Sequence, residues 1–190
     1  MIPLLALAIL PPSLAAHCVP SGERAWECRH QDRPFTLILP AQPTTSAILL
    51  LHGAGRNHRT LMDNSETRAA LLASPSIIVM PNGGNSWWLD PAPNLALMDW
   101  LEAPLHITQW SAAGWSMGAY GSIRLVEQHP KRFEAWAGMI GLLDFPNPQY
   151  AKEWNHSVPA VFGPQKTWAA RNPLMHIAAL KGKRLWFATA

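Results

Sequence analysis

The stretch Ile107–Gly121 reads ITQWSAAGWSMGAYG, and it contains the pattern G-x-S-x-G at positions 114–118. A strand-like run precedes the pattern, and a run compatible with a helix follows it. This context predicts a sharp strand-to-helix turn that presents the side chain of Ser116. Gly114 and Gly118 have no Cβ, so the predicted strand and helix can approach each other closely. The alternative is a turn of small residues that packs a helix on a sheet, with Ser116 as an ordinary hydrogen-bonded hydroxyl.

The composition is that of one globular domain with a large core. The chain has 190 residues, of which 48% are hydrophobic and 14% are charged, and such a chain is long enough to bury a sizeable interior. The formal net charge is +3, and it contains no block of like charges, so we expect no nucleic-acid partner. The sequence has neither a Cys/His ligand spacing nor a phosphate-binding glycine pattern, so we expect no metal and no cofactor.

Apolar runs alternate with helix-compatible runs along the chain. Positions 46–51 (SAILLL) and 76–80 (SIIVM) are continuous apolar runs, as expected for strands that are covered on both faces. We predict further strands at 35–39, in the run before the serine, at 133–140 and at 185–190, helices at 64–73, 94–102 and 117–128, and a mostly helical segment at 167–180. This alternation predicts an α/β fold with a mostly parallel sheet, helices on both faces and right-handed crossovers.

The first 16 residues have the features of a signal peptide. An apolar run at 2–10 is too short to cross a bilayer, and prolines and small residues after it offer a cleavage site at Ala15 or Ala16. We therefore assign 1–16 to a signal peptide and 17–190 to one domain of a secreted or periplasmic protein. The alternative is an N-terminal strand or helix that is buried in the fold.

The two cysteines, Cys18 and Cys28, lie just after the proposed cleavage site. In an exported protein we expect them to form a disulfide that holds the new N-terminus. In a cytosolic protein they would be two free thiols. The signal peptide and the disulfide therefore rest on the same premise of export.

Two glycine-rich loops follow the two buried strands. The loop at 52–58 (HGAGRNH) follows SAILLL, and the loop at 81–88 (PNGGNSWW) follows SIIVM. A serine nucleophile needs a base for its proton and two N–H donors for the oxyanion that forms on attack. One donor is the N–H of the next residue, Met117, and the other comes from a loop after an earlier strand. The loop at 52–58 suits this role because its glycines let the backbone approach a carbonyl, and we interpret His52 as orienting it.

Four motifs together resemble a known family. They are LLLHGAG, VMPNGGNSWW, GWSMGAYGSIRL and HPKRFEAWAGMIG, and over residues 47–190 the chain resembles the α/β-hydrolase superfamily, more narrowly the esterase group that includes esterase D and the mycolyltransferases. The resemblance implies an α/β-hydrolase fold with Ser116 as the nucleophile and the N–H groups of Ala54 and Met117 as the oxyanion hole. It also implies that Trp87 and Trp88 lie on a loop that flanks the site, where they would bind the substrate.

The acid and the histidine of that family's catalytic triad have no counterpart in the sequence. In the family the acid follows the strand after an FGP and NPL stretch, which matches the sequence near Gly163 and Asn172. The histidine comes after one more strand, whereas this sequence ends on the first of these strands. We therefore expect a fold that lacks its last strand and helix, with an exposed edge at Leu185–Ala190 that promotes self-association. Asp144 is better explained as a loop or capping residue, and His156 and His176 are weak candidates for the base.

These observations lead to the hypothesis of an exported serine esterase that forms an acyl-enzyme at Ser116. The ten tryptophans, several of them in loops near the serine, favour carbohydrate-linked or aromatic esters as small-molecule substrates, and we expect no membrane anchor. Acyl transfer to a sugar or lipid hydroxyl is one alternative. A truncated or impaired hydrolase fold that only binds a ligand is another, because the triad members are missing, and a cytosolic thioester hydrolase like esterase D is a third.

Overall fold

The computed structural model describes residues 10–149 and 157–189, which form one sheet of eight strands. The order of the strands across the sheet is β1-β2-β3-β5-β4-β6-β7-β8. The strands are β1 (Cys18–Gly22), β2 (Ala25–His30), β3 (Arg33–Ile38), β4 (Ser46–Leu51), β5 (Ile77–Pro81), β6 (Gln109–Trp115), β7 (Phe133–Met139) and β8 (Arg184–Ala188).

Five neighbouring strands of the sheet are parallel, from β5 through β4, β6 and β7 to β8. The register pairs Leu51, the last residue of β4, with Gly114 near the end of β6. Strands β1, β2 and β3 form an antiparallel meander that joins the sheet beside β5. The predicted mostly parallel α/β sheet is confirmed, and the carboxyl ends of β4 and β6 lie side by side, where ligands bind in open sheets of this kind.

Helices cover both faces of the sheet. Leu49 and Leu51 of β4 belong to the core on the side of α4 and α5. Leu50 of the same strand packs on the other side, against α2 and α3, because successive side chains of a strand point to opposite faces. The helices of the described residues are α1 (Pro12–Ala15), α2 (Thr60–Asp63), α3 (Ser65–Leu72), α4 (Ala92–Leu105), α5 (Met117–Gln128) and α6 (Ser157–Phe162), with 3-10 segments at Pro130–Arg132, Gln165–Thr167, Ala169–Arg171 and Pro173–Leu180.

Predicted and observed elements agree best around the parallel strands. The bounds of β4 and α5 coincide with their predictions, and Asn64 caps α3 by accepting the N–H groups of Glu66 and Thr67. The segment at 167–180 is not an α-helix but a series of 3-10 turns. Pro173 has no N–H to donate and disfavours an α conformation at the residue before it, so the chain is broken at this point.

The meander places the two cysteines opposite each other. Cys18 of β1 pairs with Cys28 of β2, and the structure joins them by a disulfide. Residues 1–9 of the proposed signal peptide lie outside the described residues. Leu10 and Leu14, within the second half of that segment, are buried in the main core. The described residues contain no helix that has both the length and the apolarity to cross a membrane.

Strand β8 is the last strand of the sheet in the described part of the chain, and its apolar side chains are exposed. The exposed fraction is 50% for Leu185, 55% for Trp186 and 38% for Phe187. A shallow cavity of about 340 Å³ lies on one face of this region, between β8 and the neighbouring strands. The self-association that the sequence predicts for this edge remains a prediction.

Candidate active site

Ser116 lies alone between a strand and a helix. It follows β6 and precedes α5, with φ 53° and ψ −122°, and a positive φ is uncommon for a residue with a side chain. The N–H of Ser116 donates to the carbonyl of Met139 (2.9 Å), and its carbonyl accepts the N–H groups of Ala119 (3.0 Å) and Tyr120 (3.1 Å). The backbone on both sides therefore holds this strained conformation, as expected for a nucleophile turn.

The two glycines of the motif make this turn sterically feasible. A Cβ on Gly114 would overlap the backbone carbonyl of Gly118. A Cβ on Gly118 would overlap the carbonyl oxygen of Leu51 at the end of β4. The first turn of α5 thus rests directly on the backbone of the neighbouring strand, and this contact fixes the position of Ser116 relative to the loop that follows β4.

The loop after β4 lies against Ser116. An ideal Cβ built on Gly53 would be 3.4 Å from the Cβ of Ser116 and 2.9 Å from Nε1 of Trp115. The structure therefore brings together the serine and the glycine-rich loop that the sequence assigns to the oxyanion hole. The N–H groups of Ala54 and Met117 have no hydrogen-bond acceptor among residues 10–149 and 157–189, and their role as an oxyanion hole remains a prediction.

His52 is buried beneath this loop, with 1% of its surface exposed. Its Nε2 accepts the N–H of Gly83 (3.0 Å), which assigns the proton to Nδ1, and Nδ1 donates to the carbonyl of Gly53 (2.8 Å). Burial lowers the pKa of His52, so the ring is neutral at neutral pH. Both ring nitrogens are engaged by the loops after β4 and β5, and His52 therefore orients the loop and is not the base.

The structure separates the two tryptophans that the sequence assigns together to substrate binding. Trp88 is only 5% exposed, and its indole N–H donates to the carbonyl of His52 (3.1 Å). The guanidinium of Arg33 lies 5.3 Å from the centre of its ring, a cation–π contact. Trp88 packs under the loop and supports it, and this position differs from the predicted contact with substrate.

Trp87 belongs to an aromatic cluster beside the serine. Its ring lies 5.8 Å from that of Tyr120, 5.2 Å from that of Phe145 and 5.2 Å from that of Phe162. Tyr120 is on the first turn of α5, so the cluster adjoins Ser116. Trp87 is half-buried, and its role in substrate binding remains a prediction.

No histidine of the described residues is hydrogen bonded to the hydroxyl of Ser116. Asp144 accepts the side-chain amides of Asn172 (2.7 Å) and Asn147 (2.9 Å), so one of its oxygens is used within the loop after β7 and the other joins this loop to the start of the segment Pro173–Leu180. His176 lies in the 3-10 segment Pro173–Leu180, where its Nε2 is buried without a partner. His156 lies outside the described residues. The structure thus assigns no triad base or acid.

Two residues that hold the loops around the site were missed by sequence reasoning. Asn85 accepts the N–H of Gly55 through its side chain (2.7 Å), and Arg33 donates through Nε to the carbonyl of Asn82. The sequence could have indicated the role of Asn85, because the two glycine-rich loops follow adjacent parallel strands and therefore lie close enough for a hydrogen bond between them. Arg33 is the first residue of β3, two residues before the strand that the sequence predicts at 35–39. The described residues contain no group of three or more His, Cys, Asp or Glu side chains that could hold a metal ion.

A comparison with protein-family models finds one match, over residues 94–189. The matching model is that of the family described as "Putative esterase". The chain belongs to this esterase family. A comparison with curated proteins finds no match.

Solved structures confirm that this esterase has the α/β-hydrolase fold. Mycobacterium tuberculosis MPT51 (FbpC1) is 20% identical with a TM-score of 0.66, and the match covers 90% of this chain and 72% of that protein. The Staphylococcus aureus fluorophosphonate-binding serine hydrolase FphF is 18% identical with a TM-score of 0.68, and the match covers 87% of this chain and 77% of that protein. An S-formylglutathione hydrolase from Agrobacterium tumefaciens is 12% identical with a TM-score of 0.68, and the match covers 92% of this chain and 90% of that protein.

Proposed function

We propose that this protein is a serine esterase that hydrolyses carboxylic esters through an acyl-enzyme at Ser116. The observation that carries the proposal is the geometry of Ser116. A serine with φ 53° stands at the turn between β6 and α5, directly against the Gly53 backbone of the loop after β4. A structural serine in a packing turn has no need of this strain or of two unused N–H groups beside it.

The reaction follows from these positions. The hydroxyl oxygen of Ser116 attacks the ester carbonyl, and its proton passes to a base. The negative charge on the former carbonyl oxygen is stabilised by the N–H groups of Ala54 and Met117. The tetrahedral intermediate collapses, the alcohol leaves with a proton, and the acyl group remains on Ser116. Water then attacks this ester, releases the carboxylic acid and restores the hydroxyl.

Trp87 supports the narrower proposal of aromatic or carbohydrate-linked ester substrates. It lies with Tyr120 beside the first turn of α5 and is half-buried, so part of the aromatic cluster is accessible to a ring next to the serine. Trp87→Ala is expected to lower kcat/KM for a phenyl-containing ester by about tenfold and to leave that for a small acetyl ester within about twofold. An equal loss for both esters would contradict this specificity.

The test of the nucleophile is covalent labelling by a fluorophosphonate. We expect intact-mass analysis to show one adduct, and peptide mapping to place it on Ser116. Ser116→Ala should abolish labelling, whereas Ser65→Ala, on exposed α3, should label at the same rate as the original chain. Labelling that persists in Ser116→Ala would overturn the proposal.

A second candidate is a protein that uses the hydrolase cleft only to bind a ligand. It is favoured by one observation, the lack of a histidine hydrogen bonded to Ser116 in the described part of the chain. Turnover of a nitrophenyl ester that disappears in Ser116→Ala supports the esterase. Binding of the same ester without turnover supports the second candidate, and faster product formation in the presence of an added alcohol identifies acyl transfer.

We also propose that the protein is exported, on the evidence of the signal-like sequence at 1–16. Expression of the full chain in a bacterial host followed by N-terminal sequencing is expected to give a mature chain that starts at Ala16 or His17 in the periplasm. An unprocessed chain in the cytoplasm would contradict it.

A further inference from the structure

A cavity of about 200 Å³ lies at the turn between β2 and β3. His30 and Arg33 are the last and first residues of these strands and pair directly across them, so their side chains project on the same side of the meander. The two turn residues between them, Gln31 and Asp32, both have positive φ (48° and 61°), the conformation of a tight two-residue hairpin. The lining residues are His30, Gln31, Arg33, Pro34, Pro93 and Leu97.

Arg33 lines this cavity, and its partly buried guanidinium forms no ion pair with a carboxylate of the described residues. Its Nε donates to the carbonyl of Asn82, and its two terminal nitrogens have no acceptor among residues 10–149 and 157–189. No carboxylate in this part of the chain lies within ion-pair distance of the guanidinium. Burial lowers the pKa of Arg33 to about 10, and the charge of Asp90 acts in the opposite direction, so the side chain is cationic at neutral pH.

His30 brings a buried polar atom that has no partner. Its Nε2 is shielded from solvent and makes no hydrogen bond to any described residue. The ring is stacked on Trp100 of α4, with 4.7 Å between centroids and 24° between planes. Trp100 thus fixes the orientation of the imidazole, and burial together with the charge of His17 lowers the pKa of His30. A neutral imidazole with a free nitrogen in a cavity can donate one hydrogen bond to an oxygen of a ligand.

The geometry points to a binding site for a small organic carboxylate in this cavity, which we propose as a site distinct from Ser116. The fork of Arg33 matches the two oxygens of a carboxylate, and the shielded, unpartnered Nε2 of His30 gains an acceptor where a ligand oxygen reaches it. Pro93 and Leu97 provide an apolar wall for the hydrocarbon part of the ligand. Arg33 is the one cation among the described residues of the lining, and the negative charge of Asp90 lies nearby, so the cavity favours a monoanion over a doubly charged phosphate. The proposal does not depend on the esterase activity.

The test is calorimetric titration of the full chain with benzoate and with benzamide, its uncharged counterpart of the same shape. We expect saturable binding of one benzoate, and affinity for benzamide at least about tenfold lower. Arg33→Gln should weaken benzoate binding by about tenfold or more, whereas Arg68→Gln on exposed α3 should leave it unchanged. The absence of saturable benzoate binding, or equal affinities for the two ligands, overturns the proposal.

Two further variants keep the test decisive. His30→Phe retains the stacking on Trp100 and removes the free nitrogen, so it should weaken benzoate binding even if Arg33→Gln does not fold, and unchanged binding in this variant overturns the proposal. Ser116→Ala should bind benzoate as the original chain does. Loss of binding in Ser116→Ala would assign the benzoate to the serine site and overturn the separate site, whatever the outcome of the labelling experiment.

Discussion

The position of Ser116 is fixed by close contacts of neighbouring glycines, which have no side chain. Gly118 lets α5 start in contact with the carbonyl of Leu51, and Gly53 lets the loop after β4 lie against the serine. At the residue scale, the site is therefore built from backbone contacts, and small additions of volume are expected to be costly.

Gly118→Ala tests the closest of these contacts. The added methyl overlaps the carbonyl of Leu51, so α5 has to move away from β4, and we expect the free energy of unfolding to fall by about 3 kcal/mol. Urea unfolding followed by tryptophan fluorescence measures this loss. Gly22→Ala is the control, because its Cβ would meet only an ordinary contact at 3.9 Å. Similar small effects in both variants would contradict the close approach.

Trp88→Phe tests the support of the oxyanion loop. The ring is largely retained, but the N–H that donates to the carbonyl of His52 is lost. We expect a loss of stability of about 1–2 kcal/mol and a decrease of about tenfold in the rate of fluorophosphonate labelling, because the donor of Ala54 is less well positioned. Trp186→Phe, at an exposed position of β8, should change neither quantity. An unchanged labelling rate in Trp88→Phe would show that Trp88 has only a packing role.

At the element scale, a contact between His58 and Glu27 joins the antiparallel meander to the end of the loop after β4. Nε2 of His58 lies 2.8 Å from the carboxylate of Glu27 in β2. The hydroxyl of Thr36 in β3 lies 2.9 Å from the same carboxylate and 3.1 Å from the carbonyl of His58. Two strands outside the parallel part of the sheet thus hold the end of the loop after β4.

This pair predicts a pH-dependent stability. Burial alone would raise the pKa of Glu27, but the hydrogen bonds from His58 and Thr36 and the nearby positive charge outweigh it and lower the pKa below 4.5. A carboxyl with a lowered folded-state pKa stabilises the fold above its unfolded pKa, and this contribution disappears as the pH falls through the folded value. The difference in unfolding free energy between the original chain and Glu27→Gln should therefore shrink between about pH 5 and about pH 3.

The matched control for this measurement is Glu134→Gln, at an exposed position of β7. The difference in unfolding free energy between the original chain and Glu134→Gln should change much less over the same pH interval, because exposed charges interact weakly. Equal pH dependence in the two variants would mean that the contact between Glu27 and His58 does not stabilise the fold.

At the scale of the whole molecule, the two edges of the sheet differ. At β8, consecutive apolar side chains are exposed, and open edges of this kind associate with other chains. We expect concentration-dependent self-association in sedimentation experiments, reduced by Trp186→Lys. Val19→Lys, at the opposite edge where the side chain is 63% exposed, should not reduce it. A chain that stays monomeric at all concentrations would contradict this prediction.

The sequence predicted those parts of the fold whose signals are local. Strand β4 is a continuous apolar run that ends in glycines, and the turn at Ser116 is marked by glycines on both sides, so both were predicted with their positions. Strand β3 of the meander was predicted at 35–39, but β1 was missed because it contains Pro20, which weakens its strand pattern. The different burial of Trp87 and Trp88 could not be predicted, because both residues have a positive φ (55° and 57°) that is uncommon for a residue with a side chain and that nothing in the sequence indicates.

The burial of Leu10 and Leu14 constrains the proposed cleavage of a signal peptide. Leu14 is completely inaccessible in the folded chain, yet it lies one residue before Ala15, at the expected cut. A peptidase needs an extended strand of substrate in its cleft, so the proposed cut at this point would have to come before the interior closes over α1. A chain cut there would have to fill the space of the two leucines by rearranging its core, whereas an uncut chain folds with α1 in place.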